Sequence, residues 1–528
     1  MSHAPLALKI PQRLLAAAAA LALLPAAHAA SWKQLKHTPL HSVETMLLLT
    51  DGTVIAHSYD NPGNIWQRLT PSASGSYLTG TWSAITPMGT NRIYFASHVT
   101  PDGNVWVLGG EYSGPNLDAN WTNTGETYDT LADSWSPIPH HPESNYGDVP
   151  SMLLEGSKIL AGSLFNPTSF IYDLKKKTWT VSGNKLYADE SSDEETWVKL
   201  PDGKVLTYDL FHSIATAGDY AEAYDPKTKT WASRSPSDGG ATGDIPLLSS
   251  VAMGYELGGA LTLRSADKRG DVFFAGATGH TATYQVGSNN WVPGPDIMGM
   301  LNGQKALFGA DDAPAAELPN GHLVLAADAA PTKGLFQGPT QLFDYDPGLG
   351  KIKPIVPDFP VTIGDPAFVT RMLMLPTGQL MFTYGTTDVW IYTPDGKAPK
   401  KSRPLPEALH YDGSGVFTLT GRRMNGISAG SSYGDDAESD ENYPIVSLTD
   451  GGGTVRYGRT YDWDNTQVQQ KKPSTVKLTL KSGTPAGTHI LTVSGAGVRS
   501  DDVCVTLTAD EVAGTGAPAD VPIGPCAQ

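Results

Sequence analysis

Acidic residues recur at one place in a repeated pattern of this sequence. The pattern is an apolar segment that ends in a turn with glycine, and carboxylates stand eight or nine residues before that glycine in four copies: Glu44, Asp148, Glu194 with Glu195, and Asp312. Asp244 and Asp365 are further candidates, from copies in which insertions shift the register. If the copies surround an axis, these side chains meet at one end of it. Carboxylates at close range raise one another's pKa or bind a cation such as calcium.

Three interpretations of this acidic ring remain open. It could bind a divalent cation, or a cationic or polyhydroxylated ligand. Two of its carboxylates could instead act as acid and base in glycoside cleavage or elimination. The same residue types also cap backbone N–H groups in loops and face water, with no further role.

A second acidic segment begins at Asp435 and Asp436 and continues to residue 441. It lacks the glycine and the ligand spacing of an EF-hand loop. We interpret it as a solvated loop that contacts the preceding domain, with calcium binding as the alternative.

Seven copies of the repeated pattern predict the elements that position these acids. The turn glycines lie 47 to 67 residues apart, which is the length of a four-stranded propeller blade: Gly52, Gly103, Gly156, Gly203, Gly270, Gly321 and Gly378. A tyrosine and a tryptophan follow at a fixed distance in four copies and are expected to pack between neighbouring blades: Tyr128 with Trp135, Tyr172 with Trp179, Tyr224 with Trp231, and Tyr284 with Trp291. The repeats predict an all-β fold, a seven-bladed kelch-type β-propeller.

The repeat stops after a segment rich in proline and lysine, and alternating strands follow it. This change predicts three parts: a signal peptide over residues 1–30, the propeller over 31–404, and an immunoglobulin-like β-sandwich over 405–528. The expected signal peptide has basic residues before a short apolar run, followed by small residues at a cleavage site. It predicts a secreted or periplasmic protein with no membrane span. The two cysteines, Cys504 and Cys526, are predicted to form a disulfide in that oxidising compartment.

The net charge of the chain limits the classes of binding partner. The net charge of −17 argues against binding to nucleic acid and to anionic membrane surfaces, both of which require a basic face. Cations, neutral sugars and basic partners stay open. The chain is long enough to bury its own core, so a monomer is expected.

Nearly all of the mature chain resembles a known family. The resemblance rests on several short sequence motifs: Trp66-Gln-Arg-Leu-Thr-Pro, Gly75-Ser-Tyr, Gly80-Thr-Trp, Asn425-Gly-Ile-Ser and Tyr433-Gly-Asp-Asp. The chain resembles bacterial kelch-repeat members of the galactose oxidase superfamily, in which a seven-bladed propeller precedes an "early set" immunoglobulin-like domain. The resemblance implies the same two-part fold for this chain.

The resemblance also implies where a copper site would lie. Galactose oxidase and glyoxal oxidase hold copper with two tyrosines and two histidines, and a cysteine is cross-linked to one tyrosine. Tyr94, nine residues before Gly103, matches the cross-linked tyrosine, and Arg92 precedes it by two. Thr45 stands at the cysteine position, and Phe368-Val369 replaces the Tyr-His pair. The Cys-Tyr copper radical cofactor is therefore not expected.

Two functions follow from these features. The first is a protein that binds a carbohydrate, a cell-surface polymer or another protein at the acidic channel mouth, through a divalent cation where one is needed. The second is an enzyme of the oxidase superfamily with an altered site, either a non-radical oxidase or a carboxylate-based hydrolase or lyase. Tyr94 and Arg92 are the candidate catalytic residues of the second.

Overall fold

A computed structural model describes residues 29–187, 191–264, 270–433, 442–470 and 472–526. Within them the chain is almost entirely β-structure. The predicted signal peptide lies mostly outside the described residues, and the segment that begins at Asp435 and Asp436 lies wholly outside them.

The described residues form seven four-stranded antiparallel blades, numbered here in chain order from the inner strand outward. Blade 1 contains Met46–Leu48, Val54–Ser58, Ile65–Thr70 and Thr81–Ala84. Blade 2 contains Ala96–Val99, Val105–Leu108, Gly125–Asp129 and Ser134–Ile138. Blade 3 contains Ser151–Leu154, Lys158–Ala161, Thr168–Asp173 and Thr178–Asn184. Blade 4 contains Thr196–Lys199, Val205–Tyr208, Ala221–Asp225 and Thr230–Ser233.

The last three blades complete the ring. Blade 5 contains Leu261–Thr262, Val272–Ala275, Thr281–Gln285 and Asn290–Pro293. Blade 6 contains Ala315–Glu317, Leu323–Ala327, Gln341–Asp346 and Lys351–Pro354. Blade 7 contains Arg371–Met374, Leu380–Thr383 and Trp390–Thr393, and the N-terminal strand Ser31–Gln34 is its outer strand. Each inner strand contacts those of the two neighbouring blades, so the ring closes. The predicted propeller is confirmed.

Local chemistry explains the repeat. All seven turn glycines have φ between 75° and 90°, a left-handed conformation that glycine adopts without steric cost. The four tyrosine and tryptophan pairs lie directly opposite each other on the two outer strands of their blades. Each of these indoles donates a hydrogen bond to the preceding blade or the loop that follows it, as when Trp231 Nε1 donates to Ser169 Oγ of blade 3 at 3.1 Å. The predicted packing between blades is confirmed.

The C-terminal residues form a β-sandwich. Its strands follow one hydrogen-bonded path: Ala519–Val521, Leu405–Gly413, Val416–Arg422, Ser474–Thr479, Val455–Tyr461, Ile445–Thr449, Gly487–Gly495, Val503–Leu507 and Ile523–Pro525, with Val498–Arg499 paired to Gly487–Gly495. Cys504 and Cys526 form the predicted disulfide, with their Cα atoms 4.8 Å apart.

The remaining described elements are small. Two minor sheets comprise Arg92–Ile93, Tyr112–Ser113 and Asp118–Ala119, and Met298–Leu301 with Gln304–Leu307. The strand Thr242–Gly243 pairs with the outer strand of blade 5. The helices are Leu210–Thr216, Ala330–Lys333 and Ala509–Ala513, with 3₁₀ turns at Ala367–Val369 and Lys400–Ser402. No helix in the described ranges is both long enough and apolar enough to cross a membrane.

The sandwich packs against the turn end of the inner hairpins. A Cβ atom at Gly52 would lie only 2.3 Å from the Tyr457 ring, so this position needs glycine for space as well as for its φ of 75°. From this end a segment of the C-terminal part enters the ring. Its strand Ser431–Tyr433 pairs antiparallel with the inner strand of blade 4, and Tyr433 lies opposite Thr196. Tyr433 therefore lies at the end of the channel remote from the sandwich, which we call the mouth.

Candidate functional site

Four blades place a non-glycine residue in the left-handed conformation just before the inner strand. The φ angles lie between 49° and 57° for Tyr94, Asp148, Glu194 and Asp312. Such a conformation costs about 1–3 kcal/mol and is concentrated at functional sites. These are positions that the glycine spacing singles out, so the repeat gives Tyr94 and three of the acids, Asp148, Glu194 and Asp312, one local backbone geometry.

Three carboxylates come together at the mouth between blades 3 and 4. Asp148, Asp193 and Glu194 each offer one oxygen, and these atoms lie within 4.8 Å of one another. The Glu194 backbone N–H donates to the Asp148 carbonyl at 2.8 Å, which holds the two loops together. We call these three residues the mouth cluster. Oxygen ligands at this spacing can hold a hard divalent cation.

Two side chains from other parts of the chain orient the mouth cluster. The Trp121 indole N–H donates to Asp148 Oδ2 at 3.2 Å. The Tyr433 hydroxyl, on the strand inserted from the C-terminal part, donates to Glu194 Oε2 at 2.8 Å. Asp148 and Glu194 thus each have one oxygen oriented by a donor.

The electrostatics of the mouth cluster favour binding of a cation or a proton. Burial, together with the charges of Glu111 and Glu195, raises the pKa of Asp193 to about 7. Burial also raises the pKa of Glu111. Among the residues that the structure describes, Asp193 has no lysine or arginine partner. A proton or a metal cation would relieve this repulsion.

Aromatic side chains surround the acidic mouth. The Tyr94 ring lies 5.2 Å from that of Tyr59 and 5.9 Å from that of Tyr112, centroid to centroid. On the opposite side the Phe336 ring lies 5.7 Å from Phe368 and 6.4 Å from Tyr255. Burial and the nearby acids Glu256, Glu194 and Asp193 raise the pKa of Tyr255. Aromatic faces beside a few polar groups are typical of small-molecule sites.

The predicted acids of the other blades lie outside the group of three. Glu44 is 2% exposed, and its backbone N–H donates to the His57 carbonyl at 3.0 Å. Asp312 is 6% exposed, and its N–H donates to the Glu256 carbonyl at 3.4 Å. Both occupy the predicted blade position.

Glu195 was expected at the mouth, and the structure places it in the interior. Its side chain is fully buried, forms an ion pair with Lys185, and accepts a hydrogen bond from Trp197 Nε1 at 2.9 Å. The cause is alternation along the chain, which sends the neighbouring residues Glu194 and Glu195 to opposite sides.

Arg92 was expected beside Tyr94 as a candidate catalytic residue, but the structure places its side chain in the interior of the protein. The guanidinium is fully buried, 3.1 Å from Glu126 Oε1, and donates to the carbonyls of Gly109 and Thr124. Burial lowers its pKa, and Glu126 counters that shift. These contacts tie the loop before blade 2 to the blade itself.

The two uncertain candidates are both exposed. Asp244 adjoins the strand Thr242–Gly243 on the outer edge of blade 5, away from the axis, and its N–H donates to the Trp291 carbonyl at 3.3 Å. Asp365 uses its backbone carbonyl to accept a hydrogen bond from Thr340 Oγ1 at 2.8 Å. Insertions in these blades explain why counting from the glycine placed Asp244 wrongly.

The donors at the mouth do not fit the copper radical group of the oxidases. Both cysteines of the chain are joined to each other in the sandwich, so neither sulfur is available to Tyr94. Within the described ranges, the metal-ligand group consists of carboxylates, whereas copper prefers imidazole nitrogen.

Sequence reasoning missed three members of the site. Asp193 stands beside the predicted Glu194, and the run Ser191-Ser-Asp-Glu-Glu was the available signal. Tyr433 and Trp121 had no signal in the repeat, because one comes from the inserted strand and the other from a loop.

Comparison with known proteins gives, among others, the following two similarities. The chain is 24% identical to the kelch-like protein terF of Aspergillus terreus over 281 residues, which cover 50% of this chain and 56% of terF. It is also similar to the structure of a fungal alcohol oxidase with catalytic diversity among the AA5 family, in complex with copper. That match has 15% identity and a TM-score of 0.48, and covers 91% of this chain and 99% of the oxidase. No family model matches the chain.

The similarity to terF supports the kelch relationship that the sequence predicts. The matched part spans only about half of either chain, so it carries no activity, substrate or partner from terF to this protein.

Proposed function

We propose that this is an exported binding protein that holds a divalent cation, of the calcium class, at Asp148, Asp193 and Glu194, and binds a carbohydrate or other cell-surface polymer there. The proposal includes the division of the mature chain into a propeller over 31–404 and a sandwich over 405–528. The observation that carries it is the convergence of three carboxylate oxygens within 4.8 Å at the channel mouth.

The geometry supports a cation in two ways. Calcium takes carboxylate and other oxygen ligands in flexible arrangements, and it leaves positions for water or sugar hydroxyls. Asp193 sits in a partly buried place where two other acids raise its pKa, so a bound cation lowers the free energy of its charged form. The nearby Tyr59, Tyr94 and Tyr112 offer ring faces to a sugar.

Calorimetric titration of chelator-treated protein with CaCl2 and MgCl2 tests the cation step. We expect one calcium site in the wild type, a weaker response to magnesium, and loss of the site in Asp193→Asn. Asp365→Asn is the matched control, because Asp365 is an exposed acid outside the mouth cluster. Equal calcium binding by both variants would refute the assignment.

A glycan array with calcium and with chelator tests the ligand. Binding that requires calcium and Asp193 supports the proposal. Absence of binding in both conditions would remove the carbohydrate, and a pull-down with intact cell envelopes would then point to a protein partner.

A carboxylate-based hydrolase or lyase is the second candidate, and the pKa of about 7 at Asp193 favours it. Such a group holds a proton and releases it near neutral pH, as a general acid must. A retaining glycosidase places its two carboxyl groups about 5–5.5 Å apart, and one oxygen from each carboxylate of the mouth cluster lies within 4.8 Å of the others. Release of nitrophenol from aryl glycosides, lost in Asp193→Asn, would support it. Metal analysis with a peroxide-release screen separates both functions from an oxidase.

A further inference from the structure

A cavity of about 320 Å³ opens between blades 3 and 4 at the turn end of the propeller. It lies at the far end of the inner strand Thr196–Lys199 from the mouth cluster, beside Thr466 and Gln467 of the C-terminal part. This volume suits a single sugar unit, at the small end of the usual range for ligand sites of about 300–1,000 Å³. It is separate from the site described above.

The walls of this cavity are basic although the protein is acidic. Five lysines line it against three acids, in a chain whose net charge is −17: Lys158, Lys176, Lys199, Lys227 and Lys229 against Glu155, Asp173 and Asp202. We call it the lysine cavity. A local excess of positive charge attracts anions even where the overall charge repels them.

Two of the three acids of the lysine cavity, Asp173 and Asp202, have partners within their own turns. Asp173 Oδ1 accepts from the N–H groups of Lys175 and Lys176 at 3.1 and 2.9 Å. Asp202 forms an ion pair with Lys204, outside the cavity. Among the described residues, by contrast, four of the five cavity lysines have no carboxylate within 4.0 Å of the amine: Lys158, Lys199, Lys227 and Lys229.

Two buried polar groups line the cavity. Lys199 is 7% exposed, and its Nζ donates to the Thr466 carbonyl at 2.9 Å. Burial lowers the pKa of Lys199 to about 8, and Glu155 partly opposes that shift. Thr466 is 4% exposed, and its hydroxyl has no hydrogen-bond partner among the described residues.

We propose that the lysine cavity binds a sugar that carries a carboxylate, sulfate or phosphate group. Lys227 and Lys229 pair with the oxyanion, because ammonium groups bind such oxygens with charge-assisted hydrogen bonds. The hydroxyls of Thr178 and Thr180 meet the sugar hydroxyls, and the side chains of Ile171 and Tyr224 provide apolar contact.

The test is calorimetric titration of the full protein with four probes: galacturonate, galactose 6-sulfate, galactose 6-phosphate and neutral galactose. Chelator is present throughout, so that the mouth cluster takes no part. The variant is Lys227→Gln/Lys229→Gln, whose lysines are exposed, so folding is preserved. Lys400→Gln/Lys401→Gln, which removes two exposed lysines elsewhere, is the matched control.

We expect at least one anionic probe to bind the wild type and the control with similar affinity. The cavity variant should bind that probe at least tenfold more weakly. Binding to the wild type should weaken as the salt concentration rises. The probe that binds best distinguishes carboxylate from sulfate and phosphate. Binding that Asp193→Asn leaves unchanged separates this result from that of the proposed function. No binding by any anionic probe, equal binding in the cavity variant, or equal affinity for neutral galactose would overturn the proposal.

Discussion

Two acidic groups lie next to each other in blade 4 and are built differently. The mouth cluster contains Glu194, and the very next residue, Glu195, belongs to a group inside the protein. There Lys185 contacts Glu195 and lies 3.3 Å from Asp209 and 3.4 Å from Glu222, and all four side chains are fully buried. We call these four residues the interior cluster. Its three carboxylates surround an ammonium group that the chain itself supplies.

The interior cluster is committed to the fold. Asp209 caps the helix Leu210–Thr216 by accepting from the His212 N–H at 3.1 Å. Glu222 accepts from the Leu186 N–H at 3.1 Å, and Glu195 accepts from Trp197. Every acid therefore holds a backbone or side-chain donor as well as the lysine.

Burial raises the pKa of acids in both clusters to near neutrality, but the charges around those acids differ. In the interior, burial raises the pKa of Glu195 to about 7 and of Glu222 to about 8, while Lys185 opposes both shifts. At the mouth, burial raises the pKa of Asp193 to about 7, and only other acids act on it. The difference teaches that the negative charge of an acidic cluster can be balanced by a residue of the protein or by an ion from solution. The interior cluster contains its cation, Lys185, whereas under the proposed function the mouth cluster takes a cation from solution.

The largest expected effect is that of Lys185→Met. Removing one partner of a buried ion pair leaves uncompensated charge, so we expect the free energy of unfolding to fall by about 3–5 kcal/mol in urea denaturation at pH 7. Lys204→Met, which breaks a partly exposed pair with Asp202, is the control and should cost at most about 1 kcal/mol. Adding Glu222→Gln to Lys185→Met should recover part of the loss. Similar costs for the two lysines would contradict the account.

The second effect is on the pH dependence of stability. Because the folded-state pKa of Glu222 is raised to about 8, the folded protein holds a proton that the unfolded chain releases near pH 4.5. The stability from this group is complete below pH 4.5 and is lost as pH rises through 8, at up to about 1.4 kcal/mol per pH unit for one proton. Urea denaturation between pH 5 and 9 should show this decline in the wild type and a flatter one in Glu222→Gln. An unchanged slope would contradict the assignment.

The third effect concerns Asp193→Asn at the mouth, where removing an acid should have two opposite consequences. Without calcium, the variant should be more stable than the wild type, because like charges no longer repel. With calcium at a hundred times its dissociation constant, the wild type alone should gain about 2.7 kcal/mol. Thermal unfolding with and without calcium measures both. A calcium-dependent gain in the variant equal to that of the wild type would contradict the proposal.

The smallest effect is that of Tyr433→Phe. This change removes the hydroxyl that donates to Glu194 at 2.8 Å and leaves the ring in place. The loss of one hydrogen bond, worth about 1 kcal/mol, should weaken calcium binding about fivefold in calorimetry. Tyr461→Phe, on a sandwich strand, is the control. Complete loss of binding would show that Tyr433 has a larger part than orientation.

The sequence predicts the propeller well because its signals are local. A hairpin glycine with positive φ and a tyrosine opposite a tryptophan each depend on neighbours within one blade. The disulfide was predicted because the chain has only two cysteines, so each has one possible partner within the chain.

The site was predicted less completely because its details depend on register and on distant parts of the chain. A shift of one residue reverses which side a strand residue faces, and this separates Glu194 from Glu195. Tyr433 reaches the mouth only because the segment that carries it enters the channel from the sandwich side. Insertions in blade 5 carried Asp244 to the outer edge, where counting from Gly270 cannot place it.

Terbium luminescence tests most directly whether the mouth cluster takes its cation from solution. Terbium occupies calcium sites, and excitation of a nearby indole sensitises its emission. Trp121 donates to Asp148 at 3.2 Å, so it stands beside the proposed ion. We predict sensitised emission from the wild type that calcium displaces, that Trp121→Phe weakens, and that Asp193→Asn abolishes while Asp365→Asn retains it. Emission that survives in Asp193→Asn, or none in the wild type, would contradict the account.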